Sequence, residues 1–298
     1  MSYDLYFRTR SGSLPAERFE AYFHKRPHYR FEGRQAVYEN EDTGVYFLFE
    51  QDDGSGAADQ DADSERFAAA FNINYFRPSV FGLEAEPEVA AFVRAFNLSI
   101  VDPQNDGMGE GDYDSKGFLR GWNAGNAFAF RAFLSNPDEK MPYKSTSRAV
   151  IHRAWTWNYG RTALQEKLGD DKFVPAVFFF EKADKIKTFS VWPDGIAIAV
   201  PDVDYFYVMR NELAPRRFFR RKEDAALLRW KEAVPVFSKH QMKRKDPTFV
   251  LAYDSPPADV REFVTGLPRL DGNLKGVASS EVLDQELVDQ GLAAAKRK

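Results

Sequence analysis

RFAAAFNINYF, residues 66–76, alternates with a period of two. Phe67, Ala69, Phe71, Ile73 and Tyr75 fall on one side, with alanine and asparagine between them. That period predicts a strand with one buried face. Upstream, RFEGRQAVYEN (30–40) and TGVYFLFEQ (43–51) flank a turn-like Asn40–Gly44 and predict a hairpin. Further back, SYDLYFR (2–8) reads as a strand. Pro15 then opens a helix, PAERFEAYFHKR, with Phe19, Tyr22 and Phe23 on one face and a stop at Pro27. Downstream, EPEVAAFVRAFN (86–97) predicts a helix with Val89, Phe92, Val93 and Phe96 inward, and LSIV (98–101) a closing strand. The order β-α-β-β-β-α-β is that of a ferredoxin-like α+β domain with one added strand, over residues 1–102.

DPQNDGMGEGDYD (102–114) is rich in glycine and acid and reads as a linker or long loop. Beyond it the spacing predicts helices over 115–134 and 144–168, then strands over 173–182, 185–192, 195–200, 203–210 and 248–254. WPDG (192–195) supplies a turn. A helix is expected from Pro256 or Pro257, and a terminal one capped by Ser279 or Ser280. Residues 103–298 are therefore expected to be a helical segment plus a second α+β domain with a mainly antiparallel sheet.

Composition sets outer limits. The 298 residues suffice for two cores, and 44% hydrophobic residues with 27 Phe exclude a disordered chain. The absence of cysteine excludes disulfides, thiolate metal sites and a cysteine nucleophile. Asp4 and Arg8 interrupt the first residues, so no signal peptide is expected, and no apolar run approaches 18 residues. The expectation is a cytoplasmic protein.

Charge is distributed unevenly. Glu39 to Glu65 holds ten acidic residues and no Lys or Arg, a net of −10. Arg210 to Lys245 holds twelve basic against four acidic residues, a net of +8. Asp59, Asp61 and Asp63 have the spacing of three calcium ligands, but Ser64 and Ala70 stand where the loop needs Gly and a bidentate acid. Gly107, Gly109 and Gly111 approach a dinucleotide fingerprint, but Asp112 falls at its third glycine, beside Glu110 and Asp114. His24 and His28 are four apart with Pro27 between them and no third ligand nearby. No metal and no cofactor is expected, and no catalytic signature is matched, so the sequence leans away from an enzyme.

Three surfaces remain. Asp52, Asp53, Asp59, Asp61 and Asp63 would form an acidic face for a partner protein. Trp122, His152, Arg153, Trp155 and Tyr159 would line an aromatic pocket between the domains, for a small-molecule enzyme or ligand sensor. Arg216, Arg217, Arg220 and Arg221, interleaved with Phe218 and Phe219, would bind phosphate or nucleic acid, which the overall charge of −4 disfavours. The first reading leads: a non-catalytic bacterial cytosolic binding protein, such as an immunity protein that neutralises a basic toxin domain. No membrane partner is expected.

Overall fold

The computed structural model describes residues 1–52, 67–135, 142–217, 220–221, 223–242 and 248–295, with the backbone alone at 216–217, 220–221 and 295. The chain opens with β1 (Ser2–Thr9), α1 (Ala16–Phe23), β2 (Tyr29–Glu32), β3 (Gln35–Asn40), β4 (Val45–Gln51) and β5 (Ala69–Asn74). Next come α2 (Val80–Phe96), β6 (Leu98–Asp102), β7 (Gly109–Gly111), α3 (Ser115–Leu134), β8 (Lys144–Thr146), α4 (Arg148–Tyr159) and α5 (Arg161–Leu168). Strands β9 (Val177–Lys182), β10 (Lys185–Val191), β11 (Tyr205–Arg210), β12 (Arg216–Arg217), β13 (Arg220–Arg221) and β14 (Asp224–Arg229) follow. Helices α6 (Trp230–Lys239) and α7 (Ala258–Gly266), strands β15 (Lys275–Val277) and β16 (Val282–Asp284), and α8 (Gln285–Ala295) complete it. The protein is mixed α+β and forms two compact units, Met1–Arg148 with Ser280–Lys298, and Ala149–Ser279.

In the first unit seven strands form an antiparallel sheet in the order β2-β3-β4-β5-β1-β6-β7. The crossover β5-α2-β6 brackets β1, whose Tyr3, Leu5 and Phe7 are wholly buried. Helix α2 lays Phe92 among Phe7, Phe19, Phe23 and Phe49, at ring separations of 4.8–5.9 Å. Helix α3 sets Phe118 against Tyr3 at 5.3 Å. Each buried ring contributes roughly 1.5–3 kcal/mol, so this aromatic seam outweighs local propensity. It explains why α2 starts at Val80, six residues before the expected Glu86, and keeps Pro87 inside it: Val80, Phe81 and Ala85 are buried and hold the first turns in place.

Several expected elements differ. Phe67 lies outside the strand and stacks on Tyr6 at 4.8 Å, on the opposite face from Phe71. Residues 30–40 form two strands, because Gly33 adopts φ 65° and turns the chain between them. The 102–114 stretch is no linker, since Gly109–Gly111 pairs with β6 as the seventh strand. Helix α3 then packs on α2 and α8 within the same unit, so the division between units does not fall at 102. The expected terminal helix begins only at Gln285. Val282–Asp284 instead pairs in parallel with β8, placing buried Val282 and Leu283 in the first unit.

The second unit carries a five-stranded sheet in the order β14-β11-β10-β9-β15, in which only β10 and β11 run parallel. Their parallel pairing demands a crossover, and residues 192–204 supply it. The 195–200 and 248–254 segments are therefore not ladder strands. Ala197–Val200 are buried in the crossover and bridge sideways to Phe173, Val250 and the Phe249 carbonyl. The expected helix over 144–168 is two helices with Gly160 between them. Arg210, wholly buried, pairs with Asp224 at 2.7 Å and donates to the Val264 and Leu267 carbonyls at the end of α7. One member of the basic region is thus an internal tie.

Two predictions follow from the first unit's packing. A Cβ at Gly82 would lie 2.1 Å from Cδ1 of fully buried Trp122. Gly82→Ala is expected to destabilise the chain by about 1–3 kcal/mol through overpacking, and Trp122→Phe in the same background to restore part of it. Urea unfolding of the three variants checks this.

Burial, followed by carboxylate neighbours, raises several phenols well above their usual 10. These are Tyr3 beside Asp102, Tyr29 beside Glu88, Tyr38 beside Glu84 and Tyr113 beside Glu86. A raised folded-state pKa gives stability that is full below the unfolded value of about 10 and is lost as pH rises above it. Titration at 295 nm should show these four among the thirteen tyrosines ionising only as the chain unfolds, with hysteresis on return. Reversible ionisation of all thirteen near pH 10 would contradict it.

Candidate functional site

Because strand side chains alternate, burial of Tyr3, Leu5 and Phe7 turns Asp4, Tyr6 and Arg8 to the other face of the first sheet. The cross-strand register carries that alternation through the sheet. One row runs Glu32, Gln35, Glu50, Ala70, Tyr6, Val101 and Glu110 from edge to edge, and a second runs Arg30, Val37, Leu48, Asn72 and Asp4. All of these side chains are half-buried or exposed. Tyr6, Val37, Leu48 and Val101 give the face an apolar middle, and charges lie around it.

The two arginines of these strands are already engaged. Arg30 pairs with Glu32 and Glu39, and Arg8 with Glu110. Asp4 accepts instead from Ser2 Oγ at 2.8 Å and Asn72 Nδ2 at 2.5 Å, and Glu50 from Gln35 Nε2 at 3.3 Å. Among the described residues neither carboxylate forms an ion pair, although Arg34 lines the same hollow as Glu50 and Arg131 the same hollow as Asp4. With Glu32, Glu39 and Glu110 set against Arg8 and Arg30, these strands still carry more acid than base.

The acidic run leaves from this sheet. Gln51 pairs with Ala69, the Asp52 amide donates to the Ala68 carbonyl at 3.3 Å, and the Ala68 amide to the Phe7 carbonyl at 2.7 Å. The connection therefore begins and ends on neighbouring strands, with Asp52 exposed at its start. Asp53, Asp59, Asp61 and Asp63 lie outside the described residues.

The other expected site residues belong to both units. Trp122 is wholly buried in the first unit, stacked on Tyr75 at 5.5 Å, so it is a core residue and lines no pocket. His152, Arg153, Trp155 and Tyr159 all sit on α4 in the second unit. Trp155 stacks on Tyr159 at 5.3 Å, with His152 at the Trp155 edge, whereas Arg153 faces a separate groove and pairs with Asp202 at 3.1 Å. Arg216 and Arg217 (β12) pair antiparallel with Arg221 and Arg220 (β13); their side chains lie outside the described residues. His24 pairs with Glu20, and His240 with Asp259, which His240 holds below the usual carboxylate range. Among the described residues no three His, Asp or Glu side chains form a group that could hold a metal.

The second acidic loop has a role that the sequence reading missed. Asp102 is buried and accepts from Tyr3 Oη at 2.7 Å, the Met108 amide at 2.9 Å and the Gln104 amide at 3.0 Å. Gly107 passes so close that a Cβ there would lie 2.1 Å from the carboxylate. Asp114 then caps α3 by accepting from the Lys116 and Gly117 amides. The glycines and acids fold the loop around its own carboxylate. The legible signal was Asp at the end of an apolar strand, followed by a turn-forming run. Other buried acids are spent in the same way: Glu84 accepts from Tyr38, Asn40 and Thr43, and Asp284 from the Ser79 amide, Ser79 Oγ and Arg148. Comparison with protein-family models, with curated proteins and with solved structures finds no match to this chain.

Proposed function

We infer that this chain is a non-catalytic binding protein that captures a basic protein through the acidic sheet face of its first unit. The observation that carries this reading is that Asp4 and Glu50, on a face with an apolar middle, bond to neutral side chains and form no ion pair among the described residues. The acidic connection between β4 and β5 springs from the same sheet. An apolar centre with a charged rim is the usual anatomy of a protein interface, and uniform charge steers an oppositely charged partner to it. The use of Asp102, Glu84, Asp284 and Arg210 as internal ties supports a scaffold over a catalytic centre, because each has its partners within its own unit. An immunity protein that covers a basic toxin domain in the bacterial cytosol has this design. The ferredoxin-like reading of the first unit belongs to the same proposal. The crossover β5-α2-β6 around β1 supports it, with the connection from β1 lengthened by a four-strand meander.

Carbodiimide joins carboxylates directly to lysine amines and so tests the face itself. Proteins captured from a bacterial extract on the immobilised chain should be basic, be released by about 0.3 M salt as screening predicts, and cross-link through Asp4 and Glu50. Glu39→Lys with Glu50→Lys should slow association at least tenfold at low salt. An unchanged association rate, or cross-links confined to other surfaces, would reject the reading.

A further inference from the structure

We propose that the groove of the second unit is a binding site for a small amphipathic anion: a flat, apolar body bearing one acidic group, which Arg153 holds. This site is independent of the acidic sheet face and would stand or fall without it. Helix α4 divides its side chains among three directions. Ile151, Ala154 and Asn158 are buried, His152, Trp155 and Tyr159 form a separate stack, and Arg153, Thr156 and Trp157 face the groove. The groove encloses about 680 Å³, within the roughly 300–1,000 Å³ of small-molecule sites. Trp157, Leu164, Val200, Pro201, Trp230 and Phe249 make its walls chiefly apolar and aromatic.

Those walls are fixed in advance. The Trp157 indole N–H donates to the Pro175 carbonyl at 2.7 Å, so its one polar atom is satisfied and an apolar ring faces the groove. Asn158 binds both the amide and the carbonyl of Val177, at 2.8 and 2.9 Å, and locks α4 onto the start of β9. Trp230 stacks on buried Phe206 at 5.9 Å. A ligand entering this groove orders few side chains, which lowers the cost of binding.

Arg153 offers the groove a place for an anionic group. Arg153 and Asp202 meet at 3.1 Å through one guanidinium nitrogen, and both side chains are about half exposed. A guanidinium presents five donors in a planar fork, so the contact to Asp202 leaves capacity for a second acceptor. An apolar ring system in the groove with a carboxylate or sulfonate at Arg153 satisfies both features.

The probe is 8-anilinonaphthalene-1-sulfonate, compared with neutral N-phenyl-1-naphthylamine, which lacks the sulfonate. The wild-type chain should bind both saturably at one site, with energy transfer from tryptophan. Arg153→Gln should weaken the sulfonate roughly tenfold, about 1.4 kcal/mol, and leave the neutral probe unchanged. Because the chain has no cysteine, Thr156→Cys can be labelled there alone with a bulky maleimide. The unlabelled variant's own affinity for each probe is the reference, and the labelled form should bind neither probe. Near-UV circular dichroism confirms the fold of each form, and if the cysteine variant does not fold, the Arg153→Gln comparison of the two probes decides alone. Absence of saturable binding to wild type, binding that survives the label, or equal effects of Arg153→Gln on both probes would overturn the proposal.

Discussion

β1 lies between β5 and β6 and is hydrogen-bonded to both, and its register decides what each face of the first sheet presents. Tyr3 meets Phe118 of α3 and Phe7 meets Phe92 of α2, which leaves Asp4, Tyr6 and Arg8 on the far side. A slip of one residue would exchange the two sets and bury a carboxylate and a guanidinium in an aromatic core. The rings of Phe49, Phe71, Phe92 and Phe118 therefore fix the exposed face as firmly as they fix the core. The acidic surface is a consequence of packing on the other side of the same strands.

Much of this was legible along the sequence because it is local. The period-two pattern of residues 69–74, the hairpin about Asn40–Gly44 and the helix over 115–134 depend on neighbours a few residues away. What escaped depends on contacts distant in sequence. Pro87 marks a helix start in isolation, yet Val80 and Phe81 are held helical by the sheet beneath them. Gly109–Gly111 has no strand propensity and pairs because β6 offers a free edge. Ser279 and Ser280 suggest a cap, but burial of Val282 and Leu283 draws the next residues into a strand beside β8. The candidate residues followed the same division. Trp155 and Tyr159 stack one turn apart on α4, but no local pattern could show that Trp122 lies in the first unit's core and Arg153 at a groove of the second.

Glycine has an equally specific place in the first unit. Gly121 and Gly125 are one turn apart on α3, and side chains there would strike Tyr3 Oη at 2.8 Å and Tyr75 Oη at 2.0 Å. Gly82 on α2 makes the same allowance for Trp122. Each missing Cβ admits a large ring or phenol, which is how a helix with modest aliphatic content seals against the sheet.

The second unit is inserted into the first, whose last strand and helix are residues 282–295. Gly291 brings α8 within close reach of the Phe130 carbonyl, and Val288 is wholly buried in that contact region. During synthesis α3 is made about 150 residues before the helix that covers it, or roughly 8–30 s at ordinary elongation rates. For that interval the first unit has its sheet but lacks its final layer, while the intervening residues can complete their own contacts. The order of manufacture thus supplies every residue of the inserted unit before those that complete the N-terminal core.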